Sequence, residues 1–222
     1  MFCTRCGKVQ MTYTQDVDVK ITKNIQRIDC KLCKSFIIIV ENNKIVNIDD
    51  KFDDCVDNSW IKVTSDRDKV IYYVLSQIIY REMDTPCEDK FESIYDHADD
   101  NDDIYLKWID KKPVGFYTIK PKGTVIYGTN KYSMTTLDTA YIRSQYRNKG
   151  LGLEIINDII ERYPNEDIGF SKPISYGMQR VLNKFLTQHK EYRRRFWEIQ
   201  DGGIEGSVKL IWFILRSQLQ KS

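Results

Sequence analysis

The apolar positions change their period near residue 60. Before about residue 48 they fall in short runs rich in β-branched residues, VDVKIT at 17–22 and SFIIIVENNKIVNI at 35–48, and ENNK offers a turn between two halves of the second run. Such runs predict short strands. DDKFDDCVDN at 49–58 is acidic and aperiodic, which predicts a linker. From Trp60 onward helical spacing appears. In KVIYYVLSQIIYREM (69–83), Val70, Val74, Ile78 and Ile79 make one stripe, with Tyr73 beside it. The stretch from Asp84 to Asp103 is acidic and predicts a loop. IYLKWID and KKPVGFYTIK then predict a hairpin turning at Asp110-Lys111-Lys112-Pro113, followed by a strand over 133–143. A helix from about Lys149 to Tyr163 buries Leu151, Ile155, Ile156, Ile159 and Ile160, and Pro164 ends it because proline cannot continue a helix. DIGFS (167–171) predicts a short strand, 175–189 a second helix, and VKLIWFILR (208–216) a buried strand. The order after residue 60 is that of an α/β domain on one mixed sheet. The divisions are residues 1–48, a linker at 49–58, and a main domain at 59–222.

Composition narrows the function classes. The 222 residues suit one medium domain and one small one, and a 41% apolar fraction suffices for a core. Lys and Arg (34) nearly balance Asp and Glu (32), for a formal charge of +2, so nucleic acid is not indicated as the main partner. FIIIV (36–40) and LIWFIL (210–215) are far shorter than the roughly 18 apolar residues that span a bilayer, so no membrane partner is expected. Met1-Phe2-Cys3 has no basic segment followed by an apolar one. The expectation is a cytoplasmic or nuclear protein whose cysteines are thiols or metal ligands rather than disulfides.

Four of the six cysteines form two pairs, Cys3-x-x-Cys6 and Cys30-x-x-Cys33. A tight CxxC turn presents two thiolates to one metal, and two such turns joined by a hairpin complete a tetrahedral zinc site. Four protein ligands leave no open position, so the expected Zn2+ is structural, in a zinc ribbon over residues 1–48. Four unrelated buried cysteines, or a redox CxxC, are the alternatives. The redox motif would sit at a helix start beside a strand, which neither pair does. His97 and His189 lack ligand spacing.

The most informative segment is YIRSQYRNKGLGLEII at 141–156. An apolar strand runs into a loop with two glycines, Gly150 and Gly152, beside Arg147, Asn148 and Lys149, and the loop opens an amphipathic helix. The unpaired N–H groups of a helix's first turn hold phosphate readily. Gly150 and Gly152 allow close backbone approach, and Arg147 and Lys149 add positive charge. An ordinary strand–helix turn is the plain alternative. A Rossmann fingerprint is excluded because residue 155 is Ile, and a P-loop because no Gly-Lys-Ser/Thr follows.

This segment resembles the acyl-CoA-binding motif of the GNAT N-acetyltransferases, Q/R-x-x-G-x-G/A, with Arg147, Gly150 and Gly152 at its fixed positions. Ile142 and Tyr146 fall where the family commonly has an apolar and an aromatic residue, and Val114-Gly115 stands where its hairpin often has such a pair. The resemblance covers about residues 60–216. It implies a mixed, mostly antiparallel sheet flanked by helices, and acetyl-CoA as cosubstrate, held at Tyr141, Ile142, Arg143, Arg147, Asn148, Lys149, Gly150, Leu151 and Gly152. LDTAYIRSQYRNKGLGLEII, IGFSKPIS and RRFWEI are also similar to the vertebrate family that includes the soluble lamin-associated protein.

The resemblance further implies acyl transfer to an amine. A backbone N–H near Tyr141–Arg143 would polarise the thioester, and a base would take the ammonium proton. Where relatives carry a Glu base early in the strand, this chain has Thr136; Asp138, two residues on and on the same strand face, is the candidate catalytic base. The usual acid is a Tyr where this chain has Phe185; Tyr176 is a weak substitute, so the acid is unassigned. The expected activity is acetyl-CoA-dependent N-acetyl transfer to an amine, first of all on a protein, with a small amine as the other acceptor. A weakly catalytic CoA-binding adaptor is the competing expectation, the ribbon recruiting its partner. The acidic stretch from Glu92 to Asp103 is either a solvated loop or an attraction for a basic substrate.

Overall fold

A computed structural model describes residues 15–16, 25–30, 36–41, 44–46, 58–94, 96–203 and 207–219. In the N-terminal part, β1 (Gln15–Asp16), β2 (Ile25–Asp29), β3 (Phe36–Glu41) and β4 (Lys44–Val46) form an antiparallel sheet in sequential order. The hairpin anticipated at 35–48 is thus β3–β4. The expected strand at 17–22 and, apart from Asn58, the expected linker at 49–58 lie outside the described residues. Arg27 of β2 bonds Asp29 at 2.8 Å and reaches both carboxylate oxygens of Glu82, at 2.5 and 2.7 Å.

The main domain is built on a second sheet. Its strands are β5 (Trp60–Lys62), β6 (Asp103–Ile109), β7 (Lys112–Lys120), β10 (Thr135–Ile142), β11 (Ile168–Ser171), β12 (Phe196–Ile199) and β13 (Val208–Leu210). Their order is β13-β12-β11-β10-β7-β6-β5. Only β10–β11 and β11–β12 pair in parallel, so the sheet is mixed and mostly antiparallel, as expected. A small hairpin, β8 (Val125–Tyr127) with β9 (Asn130–Lys131), stands apart.

Alternation along β7 sends its side chains to two cores. Tyr117 and Ile119 join Leu137, Phe170 and Phe196 beneath the helices α2 (Leu151–Arg162), α3 (Tyr176–Gln188) and α4 (Ile211–Leu219). Phe116 joins Leu106, Trp108 and Tyr141 beneath α1 (Asp66–Tyr73) on the other face. Ser65 caps α1 by accepting the Asp68 amide at 3.1 Å, and Ser175 caps α3 through the Met178 amide at 3.3 Å.

Three features depart from the sequence expectation. The helix anticipated over 69–83 starts at Asp66, and from Val74 to Met83 its turns widen to π-helix. Its last bond, Asp84 N–H to Ile79 C=O at 2.8 Å, spans five residues. The run 208–216 is a strand only to Leu210. Ile211 and Leu215 are buried four apart while Phe213 faces outward, a helical spacing that a short apolar run does not reveal. Finally, β5, β12 and the β8–β9 hairpin are too short for their pattern to stand out.

Candidate functional site

The site lies where β10 and β11 part. Their parallel pairing runs from Thr135↔Ile168 to Leu137↔Phe170 and then stops, although β10 continues to Ile142. Beyond Ser171 the chain turns toward β12, with the Lys172 amide on Ile199 C=O at 3.0 Å. On its other side β10 stays paired with β7 as far as Ile142↔Gly115. The Thr139 amide bonds Thr118 Oγ1 at 3.2 Å, and the Arg143 amide bonds Val114 C=O at 2.9 Å. Amides alternate along a strand, so those of Ala140 and Ile142 point away from β7, into the gap. Of the three residues expected to polarise a carbonyl, Ile142 is the one whose amide is directed there.

The gap opens onto the motif loop. Asn148 and Gly150 both have positive φ, 62° and 91°. The carbonyl of Gly150 accepts the Leu153 and Glu154 amides at 2.9 and 3.2 Å and so starts α2. A Cβ on Gly150 would meet nothing within 4 Å, so this turn faces open space, and glycine is required by backbone conformation. Gly152 behaves differently. A Cβ there would lie 2.7 Å from Val181 Cγ2, so it serves the packing of α2 on α3 rather than the approach to phosphate. Asn148, Lys149 and Gly150 are exposed, and Lys149 Nζ lies over the Tyr146 ring at 5.2 Å; Leu151 is buried and roots α2 in the core.

Arg147 is engaged within the protein. Its Nε donates to Ile142 C=O at 2.9 Å, and its guanidinium lies 3.9 Å from Asp84 and 3.8 Å from Glu92. Asp84 also accepts the Tyr141 hydroxyl at 2.6 Å and the Ser144 amide at 2.9 Å. Burial favours the protonated form of Asp84, but the bonds from Tyr141 and Ser144, with Arg147, outweigh it and hold the carboxyl below its ordinary 3.8. Burial and then the Asp84 bond push the Tyr141 phenol well up, so it stays a donor. Asp84, the last link of the π-helical stretch, therefore pins the motif loop. A carboxylate with a depressed folded-state pKa adds stability above its unfolded pKa, and that stability is lost as pH falls through the folded value. Asp84→Asn is expected to cost about 1.5 kcal/mol at neutral pH, the scale of a charged hydrogen bond. The difference from wild type should shrink below pH 3.8. Urea unfolding across that range is the check; a pH-independent difference would mean Asp84 acts by shape alone.

Asp138 occupies a β-bulge: the β7 register passes from Leu137↔Ile119 to Thr139↔Thr118 and leaves it without a partner in that strand. Its Oδ1 accepts the Ser171 hydroxyl at 2.6 Å, where the backbone ladder to β11 has ended. Thr136 is fully buried and donates to Met134 C=O at 2.9 Å; as a neutral hydroxyl turned to its own strand it is no base. Lys120, opposite Thr136, bonds Asp99 and Asp102, each at 2.8 Å, and lies 5.9 Å from the Tyr132 ring. Part of the acidic segment is therefore folded onto a buried cation rather than solvated. Burial and the Asp138 charge push the Tyr132 phenol up to about 12. Lys120, Tyr132 and Ser171 went unrecognised in the sequence because they reach Asp138 only through sheet pairing and the β9 turn. Tyr176 is exposed at the start of α3 rather than packed.

Of the expected zinc ligands, Cys3, Cys6 and Cys33 lie outside the described residues; Cys30 follows β2 and is buried. Among the described residues no three His, Cys, Asp or Glu side chains gather to hold a metal, and no helix is long and apolar enough to cross a membrane.

Residues 72–176, which include β10, the motif loop, α2 and β11, match the family model described as the acetyltransferase (GNAT) family. Two curated relatives carry the comparison further. The chain is similar to Protein FAM169B of Mus musculus, 30% identical over 164 residues, and to Protein FAM169BP of Homo sapiens, 29% identical over 121 residues. These alignments take in 68% and 53% of this chain, and 46% and 62% of the relatives. The chain thus spans about half the length of the curated relatives it matches. Among solved structures, an acetyltransferase from Vibrio fischeri aligns at 20% identity with a TM-score of 0.34, covering 50% of this chain and 93% of that one.

Proposed function

We propose that this chain is an acetyl-CoA-dependent N-acetyltransferase that acts on an amine, in the first place on a protein. The observation that carries the proposal is the gap beyond Leu137↔Phe170, which leads from inward-facing strand amides to the open turn at Gly150. Such a gap suits an extended cosubstrate. The amides of Leu151 and Gly152 at the helix start, with Lys149, would receive the pyrophosphate. The Ile142 amide would polarise the acyl carbonyl. Asp138, oriented by Ser171, would take a proton from the acceptor ammonium, and the freed amine would attack the carbonyl carbon as the C–S bond breaks. Calorimetric titration of the zinc-replete chain with acetyl-CoA, free CoA and desulfo-CoA tests this; saturable binding is expected, and no binding to folded protein would end it.

A second reading is an adaptor that binds CoA with little turnover. What favours it is the buried Thr136 hydroxyl in place of a carboxylate, and Phe185, packed against Phe196, in place of a tyrosine. Turnover on any amine, with acetylated product seen by mass spectrometry, decides between the two. A relation to the lamin-associated family, and residence in cytoplasm or nucleus, belong to this proposal as well.

For the N-terminal part we propose a structural Zn2+ held by Cys3, Cys6, Cys30 and Cys33. Support comes from the CxxC spacing and from Cys30 lying buried at the end of a β-hairpin strand. Cys30→Ser should lose the metal by elemental analysis and destabilise residues 1–48; full zinc content in that variant would remove Cys30 from the ligand set.

A further inference from the structure

A surface pocket beside the motif loop points to the kind of acceptor. Residues 88–90 make one turn of 3-10 helix, closed by Phe91 at φ 55°. Bulky residues adopt this left-handed conformation rarely. Phe91 and Ile94 are 53% and 58% exposed, a solvent-facing placement that large apolar side chains take at a cost unless something covers them. With Pro86 and Pro173 they wall a cavity of about 370 Å³, completed by Glu88, Glu92 and Ser93. The loop is fastened from beneath. The Tyr80 hydroxyl donates to Ser93 C=O at 2.7 Å, and Glu92 Oε2 accepts the Cys87 amide at 3.1 Å.

The pocket touches both lips of the strand gap. On one side Glu92 lies 3.8 Å from Arg147 of the motif loop. On the other, Pro173 is two residues beyond Ser171, which holds Asp138 at 2.6 Å. Its charged lining is acidic. Glu92 shares its charge with Arg147, so Glu88 supplies most of the attraction.

We propose that this pocket is the acceptor subsite, and that the acceptor is a peptide lysine with a bulky apolar side chain on the neighbouring residue. The proposal rests on the acyl-transfer reading above. The ammonium is drawn by the glutamates, and the neighbouring side chain fills the wall of Phe91, Ile94 and the two prolines. The volume is near the lower end of ligand pockets, roughly 300–1,000 Å³, and suits one or two side chains. A polyamine offers the apolar wall only a thin methylene chain flanked by further charges. In the reaction the ammonium proton passes to Asp138, the nitrogen forms a bond to the acetyl carbon as the C–S bond breaks, and the second proton that the nitrogen then sheds is taken up, directly or through water, by the departing CoA thiolate.

The test uses the full chain with desulfo-CoA bound and two lysine peptides that differ only in Leu or Gly beside the lysine. Binding of the Leu peptide is expected to be roughly tenfold tighter, the value of one buried aliphatic side chain. Ile94→Ser should erase that preference, and Glu88→Lys should weaken both peptides. Because Ile94 is exposed, its replacement leaves the core untouched; Phe213→Ser, on a side chain 66% exposed in α4, is the surface control and should change neither. Equal binding of the two peptides, or a preference that survives Ile94→Ser, overturns the proposal while acetyl-CoA binding, titrated separately, stands. Failure of acetyl-CoA to bind overturns the transferase reading itself, and a peptide preference that persisted alone would refute the acceptor role.

Discussion

Gly150→Glu is expected to weaken acetyl-CoA binding by about a hundredfold or more, without unfolding the domain. Two effects combine. The turn holds φ at 91°, where a residue with a β-carbon pays roughly 1–2 kcal/mol and the empty loop relaxes away from its binding shape. The new carboxylate also enters the open space in front of the helix start, where like charges about 4 Å apart repel by up to about 4 kcal/mol at an effective dielectric near 20. Gly150→Ala separates the contributions, since it keeps the first and lacks the second; a loss nearer tenfold is expected. Calorimetry on both variants, with circular dichroism to show the fold intact, is the measurement. Wild-type affinity in Gly150→Glu would mean the loop is only a strand–helix turn.

Asp138→Asn should lower kcat by roughly 10²–10⁴-fold, the usual contribution of a positioned general base, and leave acetyl-CoA affinity unchanged. The substitution is nearly isosteric, and an Asn carbonyl still accepts the Ser171 hydroxyl, so the bulge and the neck of the gap persist. What disappears is the capacity to take a proton. Steady-state kinetics on an accepted amine, alongside the titration, gives both quantities. Undiminished turnover would move the proton to water or to another group. Ser171→Ala should act more mildly, since it frees the carboxylate to wander without removing it.

The motif loop was legible in the sequence because its chemistry is local: strand, Arg147, Gly150 and the start of α2 follow one another. Asp138 was legible as a carboxylate in the strand before the loop, but the bulge at which it sits, and which interrupts the alternation counted from Thr136, was not. The rest of its surroundings was not, because Lys120, Asp102 and Ser171 converge through pairing between strands far apart in the chain. The roles of Arg147 and Gly152 also shifted for reasons a motif cannot carry. Arg147 is held by Asp84, Glu92 and the Ile142 carbonyl, and Gly152 yields room to Val181. Length misled at 208–216, where nine residues with apolar neighbours on both sides fit strand or helix until the partners of Ile211 and Leu215 are known.

The parting of β10 from β11 leaves a strand edge in the middle of a sheet. Edges normally lie at the periphery, where charges, prolines or bulges keep other chains from adding to them. Here the protection is steric. α1 covers one face, α2 and α3 the other, and the Asp138–Ser171 bond closes the inner end. A second polypeptide strand, with side chains on both faces, would collide with those layers. An opening proposed to offer hydrogen bonds to a cosubstrate would thereby withhold them from aggregation.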